Sequence, residues 1–223
     1  LLNAEFIQSH ILHVYFLTAP DFFRVGSVFG MVKDNKEIVL RGMRIKTLAN
    51  ELCALVGGRH IHPITLKIGC FSKNPESKDL AAFKKRIEDS WPEIEETVKF
   101  FKSLKTPEFE RETEYISLTN PEEYALYDGN IKSSDNGEVE PSDYLDTVKE
   151  FMVAHSTSKH AKSNRDSYMV GALARFNNNY DQLHSKAKEV AEELGLRHPC
   201  YNSYMNNIAQ VVETVHCFED SIR

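Results

Sequence analysis

The first residues that could do chemistry are two histidines near the start of the chain. His10 and His13 are three residues apart, so both imidazoles lie on one face if this segment is a helix. Neutral imidazole binds nickel, zinc and iron, and Asp21 is the only obvious third ligand near by. Two polar residues that pack on a partly buried helix would have the same spacing. We favour this packing interpretation over a metal site.

A second group is the segment GGRHIHP at residues 57–63, which IGCF follows at 68–71. Paired glycines let the backbone turn sharply and pass close to a ligand, while Arg59 and His62 bring hydrogen-bond donors to the same place. The segment also has the composition of an ordinary turn from a helix to a strand. From these residues alone we favour the ordinary turn.

A third group is HSTSKH at residues 155–160, followed by YMVGALAR at 168–175. A lysine three residues from a serine can act as its base, as Lys159 could for Ser156. The rest of the serine-lysine hydrolase pattern is missing, however. A polar loop followed by a helix of small residues around Arg175 is the simpler prediction.

The elements that position these groups follow from apolar periodicity. An apolar stripe predicts an opening helix that ends near Pro20, since proline disfavours helical geometry in the residue before it. Next come a loop at 32–38, a helix at 45–56 that Gly57 and Gly58 end, and an extended segment at 60–71. Residues 78–104 should form two helices or one kinked helix.

The second half of the chain carries a β signal between helices. Asp128-Gly129 flanked by β-forming residues predicts a small β hairpin insertion at 114–134. Ser142 should cap a helix that runs through Met152, and two more helices follow at about 179–194 and 201–223. The fold class is therefore mainly α, a multi-helix bundle with a small β insertion, in a single domain covering residues 1–223.

Composition excludes several classes of partner and site. A net charge of -6 and no run of Lys or Arg argue against nucleic acid or an anionic membrane. No stretch approaches the roughly 20 apolar residues that a membrane span needs. The four cysteines are far apart and never form C-x-x-C, so no thiolate zinc site or iron-sulfur cluster is indicated, and free thiols in a reducing cytoplasm are expected.

Both terminal helices lack end signals. The chain starts at Leu1 inside an apolar stripe with no N-cap, and a second stripe runs to Arg223 with no closing glycine. We therefore expect that both ends are cuts in a longer protein. Apolar residues such as Phe6, Tyr15, Val211 and Phe218 should then lack partners and make the chain self-associate.

Taken together, the motifs have the order and separation found in one protein family. The segments are SHILHVYFLTAPDFF at 9–23, GGRHIHPITLKIGCFSKNP at 57–75, HSTSKHA at 155–161 and YMVGALARFNNNY at 168–180. Over essentially its whole length the chain resembles the central region of nickel-iron hydrogenase large (alpha) subunits. The last segment is similar to the cytoplasmic, NAD(P)-linked, sulfhydrogenase-like branch of that family.

The resemblance implies a nickel-iron centre in the full-length parent, held by two C-x-x-C motifs that these residues do not contain. We therefore expect no cofactor and no catalytic or metal-binding residue in this chain itself. Cys70 stands where the family tends to have a second glycine, so it is not carried over as a ligand. The resemblance also implies an iron-sulfur small subunit as partner, and diaphorase-type subunits in this branch.

Two hypotheses of function follow. In the first, the chain is the middle of a hydrogenase catalytic subunit, and outer-shell residues brace the metal cavity or relay protons. The candidates for that role are His10, His13, Asp21, Arg59, His62, Lys159 and Arg175. In the second, the chain is a stand-alone, non-catalytic binding or assembly module on the same scaffold.

Overall fold

The apolar stripes of the sequence become helices in the computed structural model, which describes all 223 residues. The chain divides into two units: unit 1 contains Leu1–Lys105 and Gln210–Arg223, and unit 2 contains Thr106–Ala209. The predicted mainly helical fold with a small β region is confirmed. Residues 1–223, which the sequence suggests as one domain, form these two units.

Unit 1 is almost entirely helical. Its elements are α1 (Leu2–Ile11), a π-helical segment (Leu12–Thr18), α2 (Ala19–Phe22), α3 (Val28–Gly57), the short strands β1 (Leu66–Lys67) and β2 (Cys70–Phe71), α4 (Ser77–Asp89), α5 (Trp91–Ser103) and most of α9 (Asn206–Ile222). Of the two arrangements predicted for residues 78–104, the two separate helices are confirmed, and Pro92 lies in the first turn of α5, where its missing N–H costs nothing.

Two predicted breaks in unit 1 are wrong. The opening helix continues through Pro20, because a wide π turn precedes it and Pro20 then occupies the first turn of α2, where no N–H donor is needed. The loop predicted at 32–38 is part of α3 and survives only as a kink at Asn35 (φ -132°, ψ 38°). Met31 and Val39 on either side are buried, so packing keeps the chain helical there.

The end of α3 is as predicted. Gly58 adopts a left-handed conformation (φ 74°), which glycine reaches without the steric cost that a Cβ would bring. The chain then turns back: the amides of Ile64 and Thr65 both donate to the carbonyl of Gly57. An extended segment follows, as expected, and closes into the β1–β2 hairpin around Gly69.

The apolar residues of the terminal helices are buried within unit 1, so the prediction that they lack partners is wrong. Tyr15, Val211 and Phe218 are buried, and Phe6 is partly buried. Tyr15 packs against Phe100 and Phe101 of α5, and Phe218 packs against Trp91 at the start of α5. The ground we had for expecting self-association is thereby removed.

Unit 2 combines a small sheet with two helices. Its four-stranded sheet has the order β5 (Gly137–Val139), β4 (Asn130–Ser133), β3 (Glu114–Thr119), β8 (Tyr168–Met169). Only the β3–β8 pair is parallel. The other elements are α6 (Tyr144–Thr147), a two-stranded hairpin of β6 (Lys149–Phe151) and β7 (His160–Lys162), α7 (Ala172–Asn179), α8 (Ser185–Glu193) and the start of α9. The core of unit 2 includes Tyr115, Leu173 and Phe176.

The hairpin predicted at 114–134 is present as β3 paired with β4, and β5 and β8 extend it. The helix predicted from Ser142 through Met152 is wrong. Only one α-helical turn forms there, because residues 149–151 pair with β7. The helix predicted at about 179–194 begins at Ser185 instead, after α7 and a 3-10 turn.

No helix in the chain has the length and apolar composition needed to cross a membrane.

Candidate functional site in unit 1 and the buried carboxylate of unit 2

The two histidines of the first motif face helix α9. His10 Nε2 lies 2.6 Å from a Glu213 carboxylate oxygen, and His13 Nδ1 lies 2.7 Å from the Gln210 side-chain oxygen. The residue numbers of the partners on α9 fall as those of the histidines rise, because the two helices run antiparallel. With the bond from Asn3 to Asp220 at 2.7 Å, these pairs form a polar ladder of three rungs.

The middle rung is the buried one. His10 is 5% exposed and Glu213 is 1% exposed, and the edge of the Phe6 ring meets the imidazole with ring centroids 5.5 Å apart. A carboxylate fixes His10 Nε2, while Nδ1 is buried without a hydrogen-bond partner. The π-helical segment begins at Leu12, between the two histidines.

Asp21 does not join the histidines. Its carboxylate is exposed and makes no hydrogen bond within the chain. Asp21 lies in α2, whose C-terminal cap is strained because Arg24 has φ 55°. The Arg24 amide donates to the Asp21 carbonyl, and the Val25 amide donates to the Pro20 carbonyl. This is a Schellman motif in which arginine occupies the position that usually needs glycine.

The second motif forms a turn whose polar side chains are directed to solvent. Arg59 and His62 are exposed, and neither side chain has a hydrogen-bond partner in the chain. His62 has φ 55°, a conformation that costs a non-glycine residue roughly 1–2 kcal/mol. Gln8 Nε2 donates to the His60 carbonyl and holds this turn beside α1.

The structure therefore separates the candidates of unit 1. The turn contacts α1 at Gln8, and Asp21 lies thirteen residues further along the helical run, which is roughly 20 Å at the rise of an α-helix. No group of three or more His, Cys, Asp or Glu side chains is arranged to hold a metal ion. The histidines, Asp21 and the turn are three distinct places on one helical scaffold.

A buried tyrosine that the sequence analysis missed stabilises this scaffold. The Tyr15 hydroxyl lies 2.7 Å from Thr97 Oγ1, which itself donates to the Glu93 carbonyl. Burial raises the pKa of Tyr15 to about 12, although the bond to Thr97 opposes this shift. Its ring packs against Gly42, where a Cβ would come within 2.8 Å of the tyrosine Cγ. An apolar stripe identifies Tyr15 as core but cannot identify these partners.

The cysteines do not fit a four-thiolate metal centre. Cys53 and Cys217 are buried, Cys70 is exposed on the β1–β2 hairpin and Cys200 is partly buried in unit 2. Burial raises the pKa of Cys53 to about 11, the opposite of what a metal-binding thiolate needs. No step of hydrogen chemistry is therefore assigned to these thiols.

The third motif lies in unit 2 and is not helical at its start. Lys159 lies just before β7 and forms an exposed ion pair with Glu150 at 2.8 Å, and Ser156 lies in the preceding turn. The serine-lysine pair on one helix is therefore not formed. Arg175 lies in the first turns of α7, partly buried, and lines a cavity bounded by β3 and β4.

A buried carboxylate in unit 2 also escaped the sequence analysis. Glu114 is fully buried, and its oxygens accept bonds from Ser133 Oγ (2.6 Å), Asn164 Nδ2 (2.7 Å) and the amides of Asn164 (3.1 Å) and Arg165 (3.2 Å). Burial alone would raise the pKa of Glu114, but these hydrogen bonds outweigh it and hold the pKa below its usual value. Its only sequence signal is an acidic residue at the start of a strand, which is too weak to identify it.

Comparison with known proteins agrees with the resemblance in the motifs. No family model matches the chain. The chain is 33% identical to sulfhydrogenase 1 subunit alpha of Pyrococcus furiosus, over all of this chain and 52% of that protein. It is 28% identical to sulfhydrogenase 2 subunit alpha of the same organism, over 98% of this chain and 50% of that protein.

The fold has a solved counterpart. A crystal structure of NAD+-reducing [NiFe]-hydrogenase in the H2-reduced state contains a chain that matches with a TM-score of 0.87 at 22% identity, over 99% of this chain and 55% of that chain. The chain thus spans about half the length of the curated relatives it matches. Over its whole length, this chain is homologous to about half of a hydrogenase large (alpha) subunit and has the corresponding fold.

Proposed function

We propose that this chain is the central region of the large subunit of a nickel-iron hydrogenase, an enzyme that oxidises H2 reversibly. The observation that carries the proposal is the 33% identity to a sulfhydrogenase alpha subunit over the whole chain. The nickel-iron centre would supply the chemistry of H2 in the complete protein. The cysteines described above do not fit that centre. The role of this chain is therefore to support the centre and to bind partner subunits.

Asp21, and the turn with Arg59 and His62, are the two separate places that we assign to the surroundings of the metal cavity. All three are exposed and without hydrogen-bond partners in the chain. Strained backbone is found preferentially at active sites and ligand-binding segments. Arg24 and His62, the two non-glycine residues with positive φ, both lie in these segments.

The polar ladder has a supporting role in this proposal. His10 is oriented by a buried carboxylate, and such outer-shell bonds hold a helix in one register. In a proton path, the same imidazole would accept a proton at one ring nitrogen and release a proton from the other. Lys159 and Arg175 remain candidates for outer-shell residues in unit 2.

The partner surface that we propose lies on the segment from Arg59 to Lys73. Ile64, Leu66 and Ile68 expose apolar side chains there, and Ile68 is fully exposed. Residues 52–75 contain no Asp or Glu but include one arginine and two lysines. An apolar patch with a basic rim suits a protein partner with an acidic rim, which we identify as the iron-sulfur small subunit.

Two further assignments belong to this proposal. Diaphorase-type subunits would pass electrons to NAD(P), as the name of the NAD+-reducing structural relative suggests. None of the four cysteines is in a disulfide, which supports a location in the cytoplasm, where thiols stay reduced. The alternative function is a non-catalytic binding or assembly module on the same scaffold, which the absence of a fitting thiolate set favours.

The test uses the complex that contains this chain together with its partner subunits. Asp21→Asn and Arg59→Gln should each lower H2-dependent reduction of a viologen dye by at least about tenfold, with nickel and iron content unchanged. Asp143→Asn, an exposed aspartate in unit 2, is the matched control and should keep full activity. A wild-type complex with neither nickel nor H2-dependent activity would favour the binding module instead.

The partner surface is tested separately. Ile68→Asp should reduce co-purification of the small subunit, because it places a charge in the centre of an apolar interface. Leu145→Asp is the control, since Leu145 is also largely exposed but lies in unit 2. Equal recovery of the small subunit with both variants would contradict the assignment of this surface.

A further inference from the structure

One turn of unit 2 contains a pair of residues that can react with each other. Asn136 and Gly137 form the only Asn-Gly pair in the chain. Asn136 ends the turn after β4, Gly137 begins β5, and both residues are exposed. A glycine after asparagine favours reaction, because its backbone nitrogen reaches the asparagine side chain without hindrance from a Cβ.

The reaction that this pair allows is deamidation through a cyclic imide. The backbone nitrogen of Gly137 loses its proton and forms a bond to the side-chain carbonyl carbon of Asn136, and the side-chain nitrogen leaves as ammonia. Water then opens the imide at one of its two carbonyl carbons. One opening gives aspartate, and the other gives isoaspartate, whose backbone contains one additional CH2 group. No oxidant, reductant or second protein is required.

The backbone at Gly137 leaves room for the imide ring to close. Gly137 has φ 80°, and beyond its chain neighbours no atom lies within 4 Å of the place where a Cβ would be. Asn130 in the same hairpin is the opposite case. It is paired with β3, and the residue after it is Ile131, whose branched side chain is buried. The structure therefore favours reaction at Asn136 over reaction at Asn130.

The hydrogen bonds around Asn136 require an amide rather than a carboxylate. Asn136 Nδ2 donates to Asn164 Oδ1, and Asn164 Nδ2 donates to a Glu114 carboxylate oxygen at 2.7 Å. The bond to Glu114 fixes the orientation of the Asn164 amide, because an ionised carboxylate accepts hydrogen bonds and donates none. A carboxylate at position 136 would therefore face an acceptor oxygen. Arg165 would not offset this repulsion, because it already holds both carboxylate oxygens of Asp135.

We propose that Asn136 is a site of spontaneous deamidation, and that its conversion weakens unit 2 by breaking the chain of hydrogen bonds from Asn136 through Asn164 to Glu114. Isoaspartate would in addition lengthen the backbone just before β5 and disturb the pairing of Gly137 with Ser133. The inference concerns unit 2 and does not depend on the proposed hydrogenase function.

The first test follows the modification itself. The purified protein is incubated in water labelled with oxygen-18, at neutral and at alkaline pH, and is then digested for peptide mass spectrometry. Position 136 should become aspartate and isoaspartate with one heavy oxygen, and faster at alkaline pH because the attacking nitrogen must lose its proton. Asn130 is the internal control and should stay an amide. Equal conversion at both positions, or no conversion of Asn136 in the time that a free peptide of residues 132–140 is converted, would overturn the proposal.

The second test measures the consequence for stability. Asn136→Asp reproduces the aspartate product, and in urea its unfolding equilibrium constant should be at least about tenfold larger than that of the wild type, or about 1.4 kcal/mol. Asn120→Asp is the matched control in unit 2, since the Asn120 side-chain oxygen accepts from the Glu122 amide and a carboxylate can accept the same bond.

A double variant separates the hydrogen-bond chain from a general effect of charge. In an Asn164→Ala background, Asn136→Asp should lose most of its effect, because the opposing oxygen is gone. Equal stability of Asn136→Asp and Asn120→Asp, or an undiminished effect in the Asn164→Ala background, would contradict the proposed weakening of unit 2.

Discussion

Replacing Glu114 by glutamine should destabilise unit 2 although the two side chains have the same shape. One carboxylate oxygen accepts the amides of Asn164 and Arg165, and the other accepts Ser133 Oγ and Asn164 Nδ2. The NH2 group of a glutamine cannot accept a hydrogen bond, so whichever oxygen it replaces, two donors lose their acceptor. Each unsatisfied group costs roughly 1–3 kcal/mol, and since Arg165 is only partly buried and Asn164 is exposed we expect a total of about 2–4 kcal/mol.

The same carboxylate makes stability depend on pH. Because the folded pKa of Glu114 is below its unfolded value, the stabilisation is complete above the unfolded pKa and is lost as the pH falls through the folded one. The wild type should therefore lose its advantage over Glu114→Gln below about pH 4.5, the ordinary glutamate value. The difference between the two proteins should be constant from there to neutral pH.

The assay is urea unfolding followed by circular dichroism at pH 7 and at acid pH, with hydrogen exchange on residues 160–169 to locate the change. Glu138→Gln on β5 is the control, since Glu138 is exposed and should change the unfolding free energy by no more than about 0.5 kcal/mol. The reasoning is refuted if Glu114→Gln equals this control at pH 7, or if its deficit persists unchanged at acid pH.

Three further substitutions test unit 1, with the emission of the single tryptophan as the probe of urea unfolding. Arg24→Gly should stabilise by about 0.5–1 kcal/mol, because glycine removes the cost of φ 55°; a loss of stability would mean that the arginine side chain stabilises the fold. Gly42→Ala should cost about 1–3 kcal/mol, because its Cβ would lie 2.8 Å from Tyr15 Cγ, and a neutral effect would show that the ring can shift. Glu213→Ala should cost about 1–3 kcal/mol by leaving His10 Nε2 buried without a partner, and an unchanged midpoint would contradict the importance of the polar ladder.

Local sequence signals determined the backbone wherever a single residue type requires one conformation. Gly58 was predictable as a helix end because left-handed backbone favours glycine, and Asp128-Gly129 marked the hairpin for a similar reason. Pro92 after Ser90 and Trp91 marked the boundary between α4 and α5. The motifs also indicated the hydrogenase family, since their order is a property of the sequence and does not depend on the tertiary structure.

Tertiary packing decided the rest. The same kind of signal failed at Pro20, which lies in the first turn of α2 after a wide π turn, and at Asn35, where the buried side chains of Met31 and Val39 keep the segment helical. Ser142 failed as a helix start because strand pairing with β7 competed for the residues that follow it.

The partners of polar side chains were the least predictable from sequence. His10 meets Glu213 from 203 residues away, and Glu114 meets Ser133 and Asn164 at separations of 19 and 50 residues. The residue type alone indicates that a buried imidazole or carboxylate needs a hydrogen-bond partner, because the free-energy cost of its desolvation must be offset. Which residue supplies that partner depends on how helices and strands pack, and only the tertiary structure decides it.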